Sequence, residues 1–295
     1  MPLIKLEDVS KLYGFGDATT LALDEVSLSI DKGEFVAVMG PSGSGKSTLL
    51  NVLGLLDRPT NGTYRLQNRL VDRLSQSRAA KLRRDTIGFI FQSYNLLPKL
   101  TVLENVALPL TYKGIGATKR FKQASQILER VGMQNREYYY PYQLSGGQIQ
   151  CAAIARALVN DPSIIIADEP TGNLDSAGSR LVMELLSEIH KMGNTIIFVT
   201  HNPELTKYAT RVVYMRDGMI IEDEPTMIGE VAKTVRRRLY TQPRMTAEDD
   251  LMGVSLLMKA VPDKAVSKSS SSKRTKSKKG TTSRRKRRYQ KVKST

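Results

Sequence analysis

Three short stretches of this chain carry residue types whose spacing suits phosphate chemistry. The first, "GPSGSGKST" at 40–48, fits the pattern G-x-x-x-x-G-K-[ST]. Gly40, Gly43 and Gly45, with Ser42 and Ser44 between them, let backbone N–H groups turn inward around β- and γ-phosphates. Lys46 supplies a mobile positive charge, Ser47 offers a hydroxyl to Mg²⁺, and Thr48 follows it. A nucleotide with Mg²⁺ is the expected ligand. In the second stretch, "IIIADEP", Asp168 leaves an apolar run at the point where a carboxylate can hold the Mg²⁺ shell. The next carboxylate, Glu169, can polarise an attacking water as general base. The third is "YQLSGGQIQCAAIARAL" at 142–158. Ser145, Gly146, Gly147 and Gln148 there open a run that reads as a helix, where unpaired N–H groups and the positive end of the dipole attract anions. One chain thus offers two places for phosphate.

These residues need rigid elements to hold them. The runs "EFVAVMG" (34–40), "SIIIADE" (163–169) and "NTIIFVTH" (194–201) are short, continuous and rich in β-branched residues, as expected of strands in a parallel sheet covered on both faces. "KSTLLNVLGLL" follows the first as a helix. "SRLVMELLSEIHKM" lies between the second and third, with Leu181, Leu185 and Ile189 spaced by four. Strand–helix–strand alternation of this kind sets the fold class as α/β. The N-terminal "LIKLEDVSKLY" and "LALDEVSLSIDKGE" read as further strands joined by polar turns. From about 95 to 160 the pattern turns helical, "TVLENVALPL" and "KRFKQASQILERVGM" included, and suggests a helical subdomain inserted into the α/β core.

Of 295 residues, 45 are Lys or Arg and 29 are Asp or Glu, a formal net charge of +16. Residues 264–295 hold 14 of the basic residues and no acid, which leaves 31 basic against 29 acidic residues before them. The body is therefore nearly neutral and the end strongly cationic, unlike a nucleic-acid-binding fold that carries its charge on the body. Residues 224–263 read as an extension with short amphipathic pieces. Residues 264–295 read as a disordered tail with almost nothing to bury. No apolar run approaches the ~18 residues of a spanning helix, and the single cysteine, Cys151, excludes an internal disulfide.

Five elements occur in one order: "GPSGSGKST", Gln92 in "FIFQSYNLLP", "LSGGQ" at 144–148, "IIIADEPTGNLD", and His201 in "FVTHN". In order and spacing, residues 3–222 resemble the ATP-binding cassette ATPases, and most of all the subunits of lipoprotein-release, macrolide-export (MacB) and cell-division (FtsE) systems. The resemblance implies a phosphate-loop core with a mainly parallel sheet, an N-terminal antiparallel β-subdomain and the helical insertion, within a domain spanning 1–223. It implies ATP and Mg²⁺ as ligands, with Tyr13 stacking on adenine and Gln92 touching Mg²⁺ or water. It further implies Glu169 as the catalytic carboxylate, and His201 as the residue that contacts the γ-phosphate and orients the water. Asn173 to Asp175 would pass between subunits.

Two such chains would pair head to tail, so that Ser145 of one meets the nucleotide held by the other. The partner would be an integral-membrane permease, with the chain peripheral on the cytoplasmic face of the cell membrane. The basic tail would suit anionic lipid, then nucleic acid. A soluble ATPase acting on nucleic acid or ribosomes is the other reading, supported by the tail alone. Relatives usually read Gln-Gln-Arg after LSGGQ. This chain has Ile149, Gln150 and Cys151, removing a cation from a helix expected near the dimer interface or the core. His190 has no such role and reads as a surface residue. Tyr138 to Tyr140 suit either the permease or packing inside the helical insertion.

Overall fold

The computed structural model describes residues 1–14 and 18–226. The expected extension and basic tail lie outside the described residues, apart from 224–226 at the end of the last strand.

The chain begins with two long antiparallel strands, β1 (Ile4–Tyr13) and β2 (Thr20–Ile30). With β4 (Asn61–Leu66) and the short β5 (Arg69–Leu70) they form a four-stranded antiparallel sheet in the order β2-β1-β4-β5. The second sheet has six strands. They are β3 (Phe35–Met39), β6 (Ile87–Ile90), β7 (Ile164–Asp168), β8 (Thr195–Val199), β9 (Arg211–Arg216) and β10 (Met219–Pro225). Their order is β10-β9-β3-β8-β7-β6, parallel throughout except for β10. That exposed edge strand carries Glu222, Asp223 and Glu224, charges that discourage another chain from pairing there. Arg211 on β9 fastens the edge by pairing with Asp223 and with Glu34, and by donating to the Ser29 carbonyl.

β3 and β8 are buried along their whole length, and β7 up to Asp168. Because successive side chains of a strand point to opposite faces, each strand feeds two cores. Val36, Val38, Ile164, Ile166, Ile197 and Val199 join a cluster with α1 (Lys46–Leu53) and the antiparallel sheet. Phe35, Ala37, Ile165, Ala167, Ile196 and Phe198 join another with α6 (Ser176–Lys191). The buried stripe of α6 is Val182, Met183, Leu186 and Ile189. Leu181, expected on that stripe from its spacing, is 51% exposed, because the four-residue step alone did not fix the phase of the stripe. His190 is half-buried rather than a surface residue. Its Nε2 lies 3.0 Å from the Gly33 carbonyl and its ring centroid 5.4 Å from that of Phe35, so it ties the end of α6 to the turn before β3.

A third apolar cluster is built by α3 (Val102–Tyr112), α4 (Ala117–Arg130) and α5 (Gly146–Leu158). α2 (Gln76–Thr86) leads into β6. α3 starts on a capping box, in which Thr101 Oγ accepts from the Glu104 N–H and the Glu104 carboxylate accepts from the Thr101 N–H. α5 belongs to two cores at once. Ile154 and Ala157 face the sheet, while Cys151, Ala152 and Ala155 face α3 and α4. Position 151 is therefore core, and burial pushes its thiol up to about 11. A lone arginine there would lie among apolar neighbours, and the cysteine fits them. Tyr138 and Tyr142 stand out from this cluster, 77% and 74% exposed, with Tyr140 stacked on Tyr142.

Candidate functional site

The loop from β3 to α1 turns on glycines that no other residue replaces cheaply. Gly40 (φ 150°) has the Met215 carbonyl oxygen 2.1 Å from where a Cβ would stand. Gly45 (φ 93°) has the Ala22 carbonyl oxygen at 2.5 Å from that point. Around Gly43 there is open space, with nothing within 4 Å of where a Cβ would stand. Lys46 opens α1 and folds back over the loop, its Nζ donating to the carbonyls of Gly40 (2.9 Å) and Pro41 (2.6 Å), with Ser44 Oγ at 3.4 Å. Ser44 itself is buried beneath the loop.

One cleft of about 490 Å³ gathers most of the chemistry-bearing residues. Ser42, Gly43, Gly45, Lys46, Ser47 and Thr48 line it from the loop and α1, Gln92 from the segment after β6, Asp168 and Glu169 from β7, and His201 from the end of β8. Adjacent strand residues would face opposite ways. Glu169 leaves the extended conformation (φ 46°), and both carboxylates line the cleft. Burial first, and then the Glu169 charge, push the Asp168 carboxyl above the ordinary carboxylate range, with Lys46 acting against them. His201 is largely exposed, and its Nδ1 lies 2.9 Å from Glu169 Oε1 and 2.7 Å from Oε2. That contact fixes where the carboxylate points and leaves the other ring nitrogen uncommitted to Glu169.

The fit to a nucleotide and Mg²⁺ rests on donor chemistry. A hydroxyl (Ser47), an amide oxygen (Gln92) and a carboxylate (Asp168) share the cleft, a hard oxygen set of the kind Mg²⁺ takes. A cation there would also offset the burial and the neighbouring Glu169 charge that raise Asp168.

Other expected site residues stand apart. The Tyr13 hydroxyl donates to Asp57 Oδ2 (2.8 Å) with Lys11 over its ring, and its phenol is pushed up by burial and by Asp57. It does not line the cleft. Ser145, Gly146, Gly147 and Gln148 are outside it as well. Ser145 and Gln148 form a reciprocal cap on α5, leaving the backbone N–H groups of Gly146 and Gly147 that the helix does not use. Asp175 caps α6 by accepting from the Gly178 N–H at 2.7 Å.

Sequence reasoning missed Thr20, Leu21 and Ala22 of β2, which form one wall of the cleft. Ala22 acts through its carbonyl against Gly45, so its residue type carries no signal. Among the described residues no helix is long and apolar enough to cross a membrane.

The family model described as ABC transporter matches residues 23–172. A macrolide export ATP-binding/permease protein MacB of Hyphomonas neptunium is 52% identical over 222 residues, which are 75% of this chain and 34% of that protein. The chain thus spans about a third of that relative's length. An uncharacterized ABC transporter ATP-binding protein of Methanocaldococcus jannaschii, MJ1508, is 51% identical over 220 residues, 75% of this chain and 98% of the relative. Among solved structures, the dimeric post-hydrolysis state of the ATP-binding cassette MJ0796, bound to ADP and Pi, aligns with a TM-score of 0.70 and 44% identity over 75% of this chain and 98% of that one. The phosphate loop, the paired carboxylates and their histidine thus lie within a chain that matches cassettes over nearly their whole length: this protein belongs to the ABC transporter family, as one of its ATP-hydrolysing subunits.

Proposed function

We propose that the chain works as a head-to-tail dimer that hydrolyses ATP to drive a membrane permease of the MacB/FtsX type, in export, lipoprotein release or mechanotransmission. The observation that carries this reading is the separation of two phosphate-seeking places in one chain. Ser42, Gly43 and Gly45 to Thr48 of the loop line the cleft, while Gly40 and Ser145 to Gln148 do not. Each place is incomplete alone, and a second copy would supply the missing half. The solved relative MJ0796, bound to ADP and Pi, is dimeric.

In this reading Lys46 exchanges its contacts with the loop carbonyls for the phosphate oxygens, and Ser47, Gln92 and Asp168 would hold Mg²⁺. When bound, that ion offsets negative charge on the phosphate oxygens. Glu169 takes a proton from the attacking water, and His201 keeps the Glu169 carboxylate aimed through Nδ1 while its other ring nitrogen serves the γ-phosphate. Ser145 and the free N–H groups of Gly146 and Gly147 close over the γ-phosphate of the partner's nucleotide. Tyr13 turns its ring to adenine, and Asp175 works from the loop that passes between the two copies.

The permease has a suitable seat. A groove of about 790 Å³ between α2, β6 and α3 is lined by Lys81, Arg83, Arg84 and Arg156 together with Phe89, Leu108 and Tyr112. A short permease segment would set apolar side chains against Phe89, Leu108 and Tyr112 and an acidic one toward Lys81. Arg83, Arg84 and Arg156 already hold the Leu55 carbonyl, Asp85 and the carbonyls of Tyr94 and Asn95. Asn95, three residues beyond Gln92, lies on the groove wall. Such docking places the chain on the cytoplasmic face of the membrane, with the basic tail against anionic lipid.

The shared-site reading is tested by mixing two inactive chains, Lys46→Ala and Ser145→Arg. A mixed dimer has one site with both defects and one with neither, so part of the ATPase activity returns. No recovery at any ratio, with both variants folded and mixed dimers confirmed, overturns it.

A further inference from the structure

The segment after Gln92 holds two consecutive residues in the left-handed region, Tyr94 (φ 58°) and Asn95 (φ 52°). Neither is glycine, and a bulky tyrosine is a poor occupant of that region. Their carbonyl oxygens are both taken by one side chain. Arg156 of α5 donates through one terminal nitrogen to the Tyr94 carbonyl (2.7 Å) and through the other to the Asn95 carbonyl. The guanidinium is mostly buried, and burial lowers its pKa. A planar fork with two fixed N–H directions suits a pair of neighbouring carbonyls in a way an ammonium does not.

The same segment is fastened at its other side. Asn173 Nδ2 donates to the Gln92 carbonyl (3.0 Å), and the Tyr94 hydroxyl donates to the Asn173 carbonyl (3.4 Å). The Gln92 amide lies over Gly172, where a Cβ would come within 2.8 Å of Nε2, and the Tyr94 hydroxyl lies against Gly146. The segment is thus set with Gln92 against the turn that follows Glu169 and Tyr94 against the first turn of α5, and Arg156 holds its far end.

We infer that Arg156 is a positioning residue for Gln92: by holding the carbonyls of Tyr94 and Asn95 it fixes the left-handed pair that delivers Gln92 to the nucleotide cleft. It lines the neighbouring groove and not the cleft, so it acts through Gln92 and touches no substrate. The inference rests on the proposed part of Gln92 in hydrolysis.

The test is a double-mutant cycle in the full-length chain with Mg-ATP, using Gln92→Ala, Arg156→Gln and both together, with thermal melting followed in parallel. Arg156→Gln is expected to lower kcat about as much as Gln92→Ala does, with KM for ATP unchanged within about twofold. In the Gln92→Ala background it should lower kcat no further, because residues acting along one path are not additive. Arg156→Lys, which keeps the charge but loses the fork, should fall between wild type and Arg156→Gln, and it replaces the glutamine variant in the cycle if that one does not fold. Effects that multiply in the double variant overturn the inference, as does a raised KM at unchanged kcat. If Gln92→Ala alone leaves kcat intact, the role of Gln92 falls and this inference falls with it. A slowed Gln92→Ala beside a normal Arg156→Gln removes only the role of Arg156.

Discussion

Glu169→Gln keeps the length of the side chain and its reach to His201 but removes the charge that would accept a proton. It is expected to retain ATP while hydrolysing it about 10²-fold more slowly or worse, the low end for a lost general base. It should also trap a nucleotide-bound dimer visible by size-exclusion chromatography. Turnover near wild type would show that another group takes the proton. Residues of this kind could be picked out in the sequence as candidates, Lys46 and Asp168 by side chain and spacing and His201 through the family resemblance, and the structure brings all three to one cleft. What the words "ADEP" could not convey is the left-handed backbone at Glu169 that brings both carboxylates to one cleft. Nor could they show the use of Ala22 by its carbonyl alone. Arg156 was invisible for a related reason: its partners are main-chain oxygens, which any residue type supplies.

Among the elements, α3 depends on one polar side chain inside an apolar cluster. Asn105 is fully buried, accepts from the Leu97 N–H (2.7 Å), and donates to the carbonyls of Leu97, Leu100 and Thr101. It pins the segment that follows the Gln92 loop onto the first turn of the helix. Asn105→Ala should destabilise the protein by about 2 kcal/mol or more, since several buried backbone groups lose their partner, and amide exchange at 97–101 should quicken. An unchanged urea midpoint would mean that the segment finds other partners. Strands β3, β7 and β8 could be read from their unbroken β-branched runs, which suit burial on both faces. α6 could be read as a helix, but its buried face could not be placed, because Leu181 and Leu185 satisfy the same spacing as Val182 and Leu186. His190 was misjudged for want of its neighbours: nothing in "EIHKM" tells that Gly33 and Phe35 lie alongside.

For the whole molecule, charge is divided between a body with 31 basic and 29 acidic residues and an end with 14 basic and none acidic. Truncation after Asp263 should leave the ATPase rate of the isolated chain nearly unchanged, because the residues that line the described cleft run no further than His201. Binding to anionic vesicles should drop sharply. In the full-length protein that binding should weaken steeply with salt, as exposed charges are screened beyond about 8 Å at physiological ionic strength. Vesicles and duplex DNA compared at that salt decide what the end of the chain is for. Vesicle binding kept after truncation removes the lipid anchor, and a preference for DNA moves the tail to nucleic acid. The α/β order and the helical insertion were legible at this scale because periodicity changes along the chain. The groove between α2, β6 and α3 was not, because a groove belongs to no single run of residues.

Glycine is the residue that the backbone at position 169 would adopt with least strain, and glycine is also the one that would leave the cleft without its second carboxylate. Optimisation for robustness and optimisation for turnover therefore pull this position in opposite directions. Any search that ranks variants by folding stability alone is drawn toward an inert protein here, so position 169 should be held fixed before the rest of the chain is redesigned.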